Sequence, residues 1–229
     1  MRVLVVGGSK GIGKACVEGL LSEGSEVIVA SRSNDDISHL PIEHIELDVT
    51  SASDFSALED LDDLNGLIYC PGSINLKPFH RLKEADFQAD LDLNVLGLIR
   101  TLHATREALK AGKGAVVTFS TVAVQQGMTF HSSIAVSKGA IEGLTRTLAA
   151  EWAPNIRVNA IAPSLTDTPL AVSLLGDEKR RNASAERHPL KAVGQPEDIA
   201  KMAIHLIGDG GKWITGQVFG IDGGMSSVR

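Results

Sequence analysis

The feature that most limits what this chain can fold into is the run Val6-Gly7-Gly8-Ser9-Lys10-Gly11-Ile12-Gly13. It follows the apolar stretch Arg2–Val6 and opens an amphipathic pattern over Ile12–Ser22. A glycine pattern alone is a weak signal, but a strand before it and a helix after it supply the context that a phosphate-binding turn needs. Glycines allow the tight turn and let backbone N–H groups approach a pyrophosphate at the helix N-terminus, where the helix dipole attracts anions. The competing reading is an ordinary glycine-rich turn between a strand and a helix.

The rest of the chain continues the alternation. Short apolar, β-branched runs predict strands at Arg2–Val6, Glu26–Ser31, His44–Val49, Gly66–Cys70, Ala115–Thr121, Ile156–Pro163 and Gln217–Ile221. Several are near-continuous Val, Ile and Leu, as in strands covered on both faces of a parallel sheet. Helical periodicity predicts helices over Ile12–Ser22, Ala85–Ala111, Ser132–Trp152 and Pro196–Ile207. Ser132 and Ser133 read as N-caps of the third of these. The Arg32–Glu43 connection is too short for a full crossover helix, so a turn or two is expected there. The chain of 229 residues is therefore expected to be α/β, a single doubly wound Rossmann-type domain with a mostly parallel sheet of about seven strands.

Composition removes several function classes. The formal net charge is −6 and no Lys/Arg-rich run stands out, which argues against a nucleic-acid partner. Cys16 and Cys70 are too few for a disulfide framework and lack metal-ligand spacing, so no metal is expected. Cys70 has no flanking base or cation and reads as a buried, inert thiol. No signal-peptide core is visible and no apolar run approaches the ~20 residues that span a bilayer, so a cytoplasmic protein with no membrane partner is expected. Asp54, Glu59, Asp60, Asp62 and Asp63 read as a solvated helix face. The charged stretch Leu170–Arg187 has no readable chemistry and is expected to be a mobile lid over a substrate pocket.

The second strand ends in Ala30-Ser31-Arg32, without the carboxylate that would hold a ribose 2′-hydroxyl and indicate NAD. Arg32 is instead placed to pair with a 2′-phosphate, and Lys10 to reach the same group from the glycine loop. This favours NADP(H) over NAD(H); the alternative is that both are solvated surface charges.

With these pieces assembled, the chain resembles the short-chain dehydrogenase/reductase family over essentially its whole length. The resemblance rests on the glycine loop, Asp48-Val49, Cys70-Pro71-Gly72, Asn94-Val95-Leu96-Gly97, Ser120-Thr121, Ser137-Lys138, Arg157-Val158-Asn159, Pro163-Ser164, Thr166-Asp167-Thr168-Pro169 and Ile221-Asp222-Gly223-Gly224, in that order. It implies that Asp48 and Val49 flank the adenine, that Gly72 closes the groove, and that Asn94 holds a water within its helix. It implies that Lys138 binds the nicotinamide ribose, and that Ser164–Thr168 meets the nicotinamide amide and the pyrophosphate. The implied cofactor set is then Gly7, Ser9, Lys10, Gly11, Ile12, Gly13, Ser31, Arg32, Asp48, Val49, Cys70, Pro71, Gly72, Asn94, Lys138, Pro163, Ser164, Leu165, Thr166 and Thr168. A homodimer or homotetramer, paired through the two long helices, is implied as well, with a small-molecule substrate.

The pattern breaks at one position. The family places a serine thirteen residues before a tyrosine and a lysine four residues after it. Anchored on Lys138, the serine position is Thr121 and the tyrosine position is Ile134. Residues i and i+4 share a helix face, so the family's phenol sits beside the lysine charge that lowers its pKa for proton transfer. Ile134 has no proton to give. Removing a positioned general acid costs about 10²–10⁴ in rate. The chain's single tyrosine, Tyr69, stands near the end of the fourth strand, a poor place for the task. His131, seven residues before Lys138, is a speculative substitute donor. The expected catalytic set is therefore Asn94, Thr121 and Lys138, with Ile134 in the tyrosine's place. Two functions remain open: an NADP(H)-dependent oxidoreductase with an altered proton route, or a cofactor-binding sensor or scaffold without turnover.

Overall fold

The computed structural model describes residues 1–51 and 55–228. Among these, seven strands form one sheet, all neighbours parallel, in the order β3-β2-β1-β4-β5-β6-β7. They are β1 (Arg2–Val6), β2 (Glu26–Ser31), β3 (Glu43–Glu46), β4 (Gly66–Tyr69), β5 (Ala115–Phe119), β6 (Arg157–Pro163) and β7 (Val218–Ile221). The helices are α1 (Gly11–Ser22), α2 (Ser56–Glu59), α3 (Glu84–Leu91), α4 (Gly97–Ala111), α5 (Ala123–Gln126), α6 (Ser132–Trp152), α7 (Val172–Leu175), α8 (Glu178–Glu186) and α9 (Pro196–Ile207).

Strand periodicity divides the core between the two faces of the sheet. Val3 and Val5 pack with Val17 and Leu20 of α1 and Ile204 of α9, whereas Leu4 and Val6 pack with Leu98 and Leu102 of α4 and Ile141 and Trp152 of α6. Both faces of β1 are thus dry, which is why its sequence does not alternate. The chain builds outward from β1 to β3, then returns to place β4 on the other side of β1. Loops leaving β1 and β4 diverge at this switch point, and open α/β sheets bind ligands in such a crevice.

Two side chains explain the Arg157-Val158-Asn159 motif as architecture. The Arg157 guanidinium donates to the carbonyls of Leu206 (2.6 Å), Gly211 (2.8 Å) and Ile207 (3.0 Å), closing the C-terminus of α9. Asn159 donates to Ile214 O at 3.0 Å and accepts from Gln217 N at 3.1 Å, fixing the entry to β7.

Several sequence expectations need correction. The helix expected over Ala85–Ala111 is α3, a π-helical stretch Asp92–Leu96, and α4. The Tyr69 hydroxyl donates to Leu93 O at 2.7 Å within that stretch. A side chain at Gly97 would put its Cβ 2.5 Å from the same hydroxyl. Average periodicity does not register one extra residue per turn, and such stretches concentrate at functional sites. Val49, Cys70, Ser120 and Thr121 lie beyond their strands, because the chain peels away where the site begins. Ser132 and Ser133 are the first residues inside α6, whose N-cap is His131, so neither is a cap. Of the acidic stretch only Glu59 is helical; Asp60, Asp62 and Asp63 follow α2 as exposed coil, and Asp54 lies outside the described residues. The Leu170–Arg187 stretch holds α7 and α8, with Arg181 paired to Asp167 at 2.5 Å, and helical content does not contradict the lid expected there. The Arg32–Glu43 connection holds one short 3-10 turn, Asp35–Ile37, as expected.

Candidate active site

The glycine loop is closed on itself. Gly7 and Gly11 take φ of 73° and 53°, a region that L side chains rarely adopt. A Cβ on Gly13 would lie 2.3 Å from Gly7 O, so no side chain fits there. α1 starts at Gly11 behind Lys10, which makes no side-chain cap bond, leaving the helix N-terminus to face the groove. That groove encloses about 660 Å³. Gly7, Ser9, Lys10, Gly11, Ile12 and Gly13 line its loop side, and Cys70, Pro71 and Gly72 line its β4 side. A glycine floor with an uncapped helix end fits a dinucleotide pyrophosphate.

At one end of the groove lie Ser31, Arg32, Asp48 and Val49. Asp48 accepts from Thr50 Oγ1 at 2.7 Å and Thr50 N at 2.9 Å. Those two bonds, and to a lesser degree the Arg32 charge, hold its carboxyl below the usual range against a small opposing effect of burial. Lys10 Nζ lies 3.6 Å from Asp36 Oδ2, so the lysine reaches this end of the groove with a carboxylate partner already beside it. The Ser31 hydroxyl donates to Ser33 O at 2.8 Å.

At the other end a second cavity of about 320 Å³ opens. Ile12, Cys70, Gly72, Thr168 and Leu170 line both spaces, so the two are continuous. The smaller one is lined by Thr121, His131, Ile134, Lys138, Pro163, Ser164, Leu165 and Thr166. Helix α6 aligns Ile134 and Lys138 on one face, one turn apart. They are only 5% and 7% exposed. Burial pulls the Lys138 ammonium down to about 8, partly offset by Cys70 and by Asp90.

Asn94 lines neither cavity and acts from behind Gly72. A Cβ at Gly72 would lie 3.6 Å from Lys138 Nζ and 3.8 Å from Asn94 Oδ1, so both polar atoms converge on the space that glycine leaves open. The Asn94 amide donates to Asp90 O at 2.8 Å and Ser73 Oγ at 3.3 Å. Asn94 Oδ1 and Asp90 Oδ2 are buried acceptors without a hydrogen-bond partner. Buried acceptors of this kind call for a donor, and a bound water or a sugar hydroxyl beside the ammonium satisfies them.

Ser120 and Thr121 have separate roles. The Ser120 hydroxyl is turned into the protein and donates to Glu142 at 2.7 Å, whereas Thr121 Oγ1 accepts from Ala123 N at 3.3 Å. His131 lines the smaller cavity, its ring bonded through Nδ1 to Thr129 O at 2.7 Å. Cys70 is half-buried and lines both cavities, not buried as expected; burial, and then the neighbouring Cys16 thiol, push its thiol well above its ordinary range. Burial also pushes the Tyr69 phenol far above its usual range, with Arg100 opposing weakly. Its proton is committed to Leu93 O.

Sequence reasoning missed His188 and gave Asp222 no task. His188 is 2% exposed and lines the smaller cavity. Its Nε2 is 2.8 Å from Ser164 Oγ and its Nδ1 is 2.9 Å from Ser184 O. Asp222 packs nearby: burial raises its carboxyl, but bonds from Ser226 and Gly224 and the His188 charge bring it below the usual range. The one sequence signal was a lone histidine closing the charged Leu170–Arg187 stretch.

Comparison with known proteins places this geometry in context. A family model described as enoyl-(acyl carrier protein) reductase matches residues 6–226. A 3-oxoacyl-[acyl-carrier-protein] reductase of Thermotoga maritima is 31% identical over 238 residues, covering 97% of this chain and 96% of that protein. The ligand-free aldohexose dehydrogenase of Thermoplasma acidophilum superposes with a TM-score of 0.92 at 28% identity, covering 100% of this chain and 94% of that one. ElxO with NADP bound superposes with a TM-score of 0.89 at 26% identity, covering 99% and 98%.

Proposed function

Because this chain belongs to the short-chain dehydrogenase/reductase family, we propose that it is an NADP(H)-dependent oxidoreductase of small carbonyl, alcohol or imine-type substrates whose proton route lacks a tyrosine. One observation carries the reading: Lys138 and the unpartnered Asn94 oxygen converge beside Gly72, at the mouth of a cavity that Thr121 and Ile134 line. A bound nicotinamide would supply the hydride. Gly7, Gly11 and Gly13 would take its pyrophosphate, and Lys138 with Asn94 its ribose, directly or through water. Thr121 orients the substrate oxygen with its hydroxyl, and Ile134 offers only methyl groups where a phenol would act.

For the cofactor's other end, Arg32 borders the groove and no carboxylate ends β2, which supports NADP(H); the relative bound to NADP is consistent with this choice. Two or four copies pairing through α4 and α6 complete the reading.

Ile134 also motivates a second reading, a cofactor-binding sensor or scaffold without turnover. NADPH oxidation against ketones, aldehydes, imines and quinones separates the two. Slow turnover, accelerated by about 10²–10⁴ in Ile134→Tyr, is expected. Tight NADPH binding with no turnover of any panel member supports the sensor instead.

A further inference from the structure

We propose that Ser164 and His188 form the proton relay of the smaller cavity, with Ser164 touching the substrate oxygen and His188 acting through it. The inference rests on the oxidoreductase reading above and supplies what Ile134 withholds.

The geometry is that of an oriented base behind a hydroxyl. Ser184 O can only accept, so the 2.9 Å contact assigns the hydrogen to His188 Nδ1. Nε2 is thereby aimed at Ser164 Oγ, 2.8 Å away. In the neutral ring Nε2 accepts the Ser164 proton; in the cation it donates, and the hydroxyl hydrogen is left to Asp222 O, 3.4 Å away, or to a substrate oxygen in the cavity. His188 itself is too buried to meet a substrate, but Ser164 is half-buried and lines the cavity. Val122 N donates to Pro163 O at 3.2 Å, tying the chain just after Thr121 to the chain just before Ser164. Thr121 and Ser164 line the same cavity.

On reduction, the carbonyl carbon takes the hydride that NADPH supplies, and the carbonyl π electrons move to oxygen. That oxygen takes the Ser164 proton, Ser164 recovers one from His188 Nε2, and solvent reprotonates the ring. Oxidation runs the same path backward. The charged groups near the ring are Asp222, which follows β7, and Arg187, the chain neighbour of His188. Lys138 and His131 line the same cavity.

The test uses His188→Gln, which keeps a polar contact to Ser164 but cannot relay a proton, and Ser164→Ala. Both are expected to lower kcat at least tenfold, and His188→Gln should do so with KM and NADPH affinity within about threefold. Both should also flatten the pH profile of kcat/KM. Adding Ile134→Tyr to His188→Gln is expected to restore turnover, because a phenol then provides the proton; a purely structural role for His188 predicts no such rescue. Independently of activity, nitrogen NMR of the ring in NADP⁺-saturated protein should show the hydrogen on Nδ1 and a hydrogen-bonded Nε2, a signature that changes in Ser164→Ala. A ring with its hydrogen on Nε2 and no response to Ser164→Ala, or a His188→Gln enzyme with native kcat and pH profile, overturns the relay and leaves the oxidoreductase reading intact. Absence of turnover in the native chain, with NADPH bound, overturns both.

Discussion

Lys138→Met isolates the energetic consequence of burying an ammonium at the site. The methionine keeps most of the side chain's length and apolar contact and removes the charge. Burial lowers the Lys138 pKa from an ordinary 10.5 to about 8. At about 1.4 kcal/mol per pH unit, the full difference corresponds to about 3 kcal/mol. The sign follows from proton counting. Below pH 8 both folded and unfolded chains hold the proton, and the native state bears the whole burial cost. Between pH 8 and 10.5 the unfolded chain binds more protons, so native stability rises with pH. Above 10.5 both are neutral and the change is complete. The stability of the native chain minus that of Lys138→Met should therefore climb by about 2–3 kcal/mol between pH 7 and 10.5. Urea unfolding of both proteins at half-unit pH steps measures it, and the subtraction cancels the titrating groups that do not interact with Lys138, leaving its neighbours Cys70 and Asp90 in the difference. A flat difference would mean that the ammonium is solvated, and the cradle at Gly72 would then be misread. A falling one would mean that Asp90 outweighs desolvation.

Other perturbations test the remaining parts of the site. Arg32→Ala should weaken NADPH by about tenfold to a hundredfold, the loss of one charged hydrogen-bonding partner, with little change for NADH. A larger thermal shift of the native chain with NADH than with NADPH contradicts the assignment. Gly13→Ala forces a Cβ to within 2.3 Å of Gly7 O, so stabilisation by NADPH should disappear in a thermal-shift titration; unaltered binding would show that the loop opens freely. Arg157→Met strips three carbonyls at the end of α9 of their donor and should lower stability by about 2–4 kcal/mol. Its Tm should fall by several degrees while cofactor affinity is retained, and a coupled loss of affinity would refute a purely architectural role.

Much of the fold was legible because its signals are local. A strand, glycines and a helix follow one another between Arg2 and Ser22, and strands buried on both faces announce themselves as unbroken Val/Ile/Leu. Within the site, the placement of Ile134 one turn before Lys138 follows from helix geometry, and both line the same cavity in the folded chain. Where periodicity averages over a local defect it fails: the π stretch at Asn94 looks like continuous helix until Tyr69 is seen bonded to Leu93.

The amino-acid order alone determined that a glycine-floored groove would form at the end of β1 and that the face of α6 beside it would carry a lysine with an aliphatic neighbour. Both depend on residues a few positions apart, whose relation the backbone dictates. Only the folded sheet decided that Asn94 would stand behind Gly72 with an unanswered oxygen, and that His188 would reach Ser164 across 24 residues. Each contact closes a long loop within one crossover, β4–β5 for Gly72 and Asn94 and β6–β7 for Ser164 and His188, and its distance depends on how that crossover packs against the sheet, which local sequence does not encode.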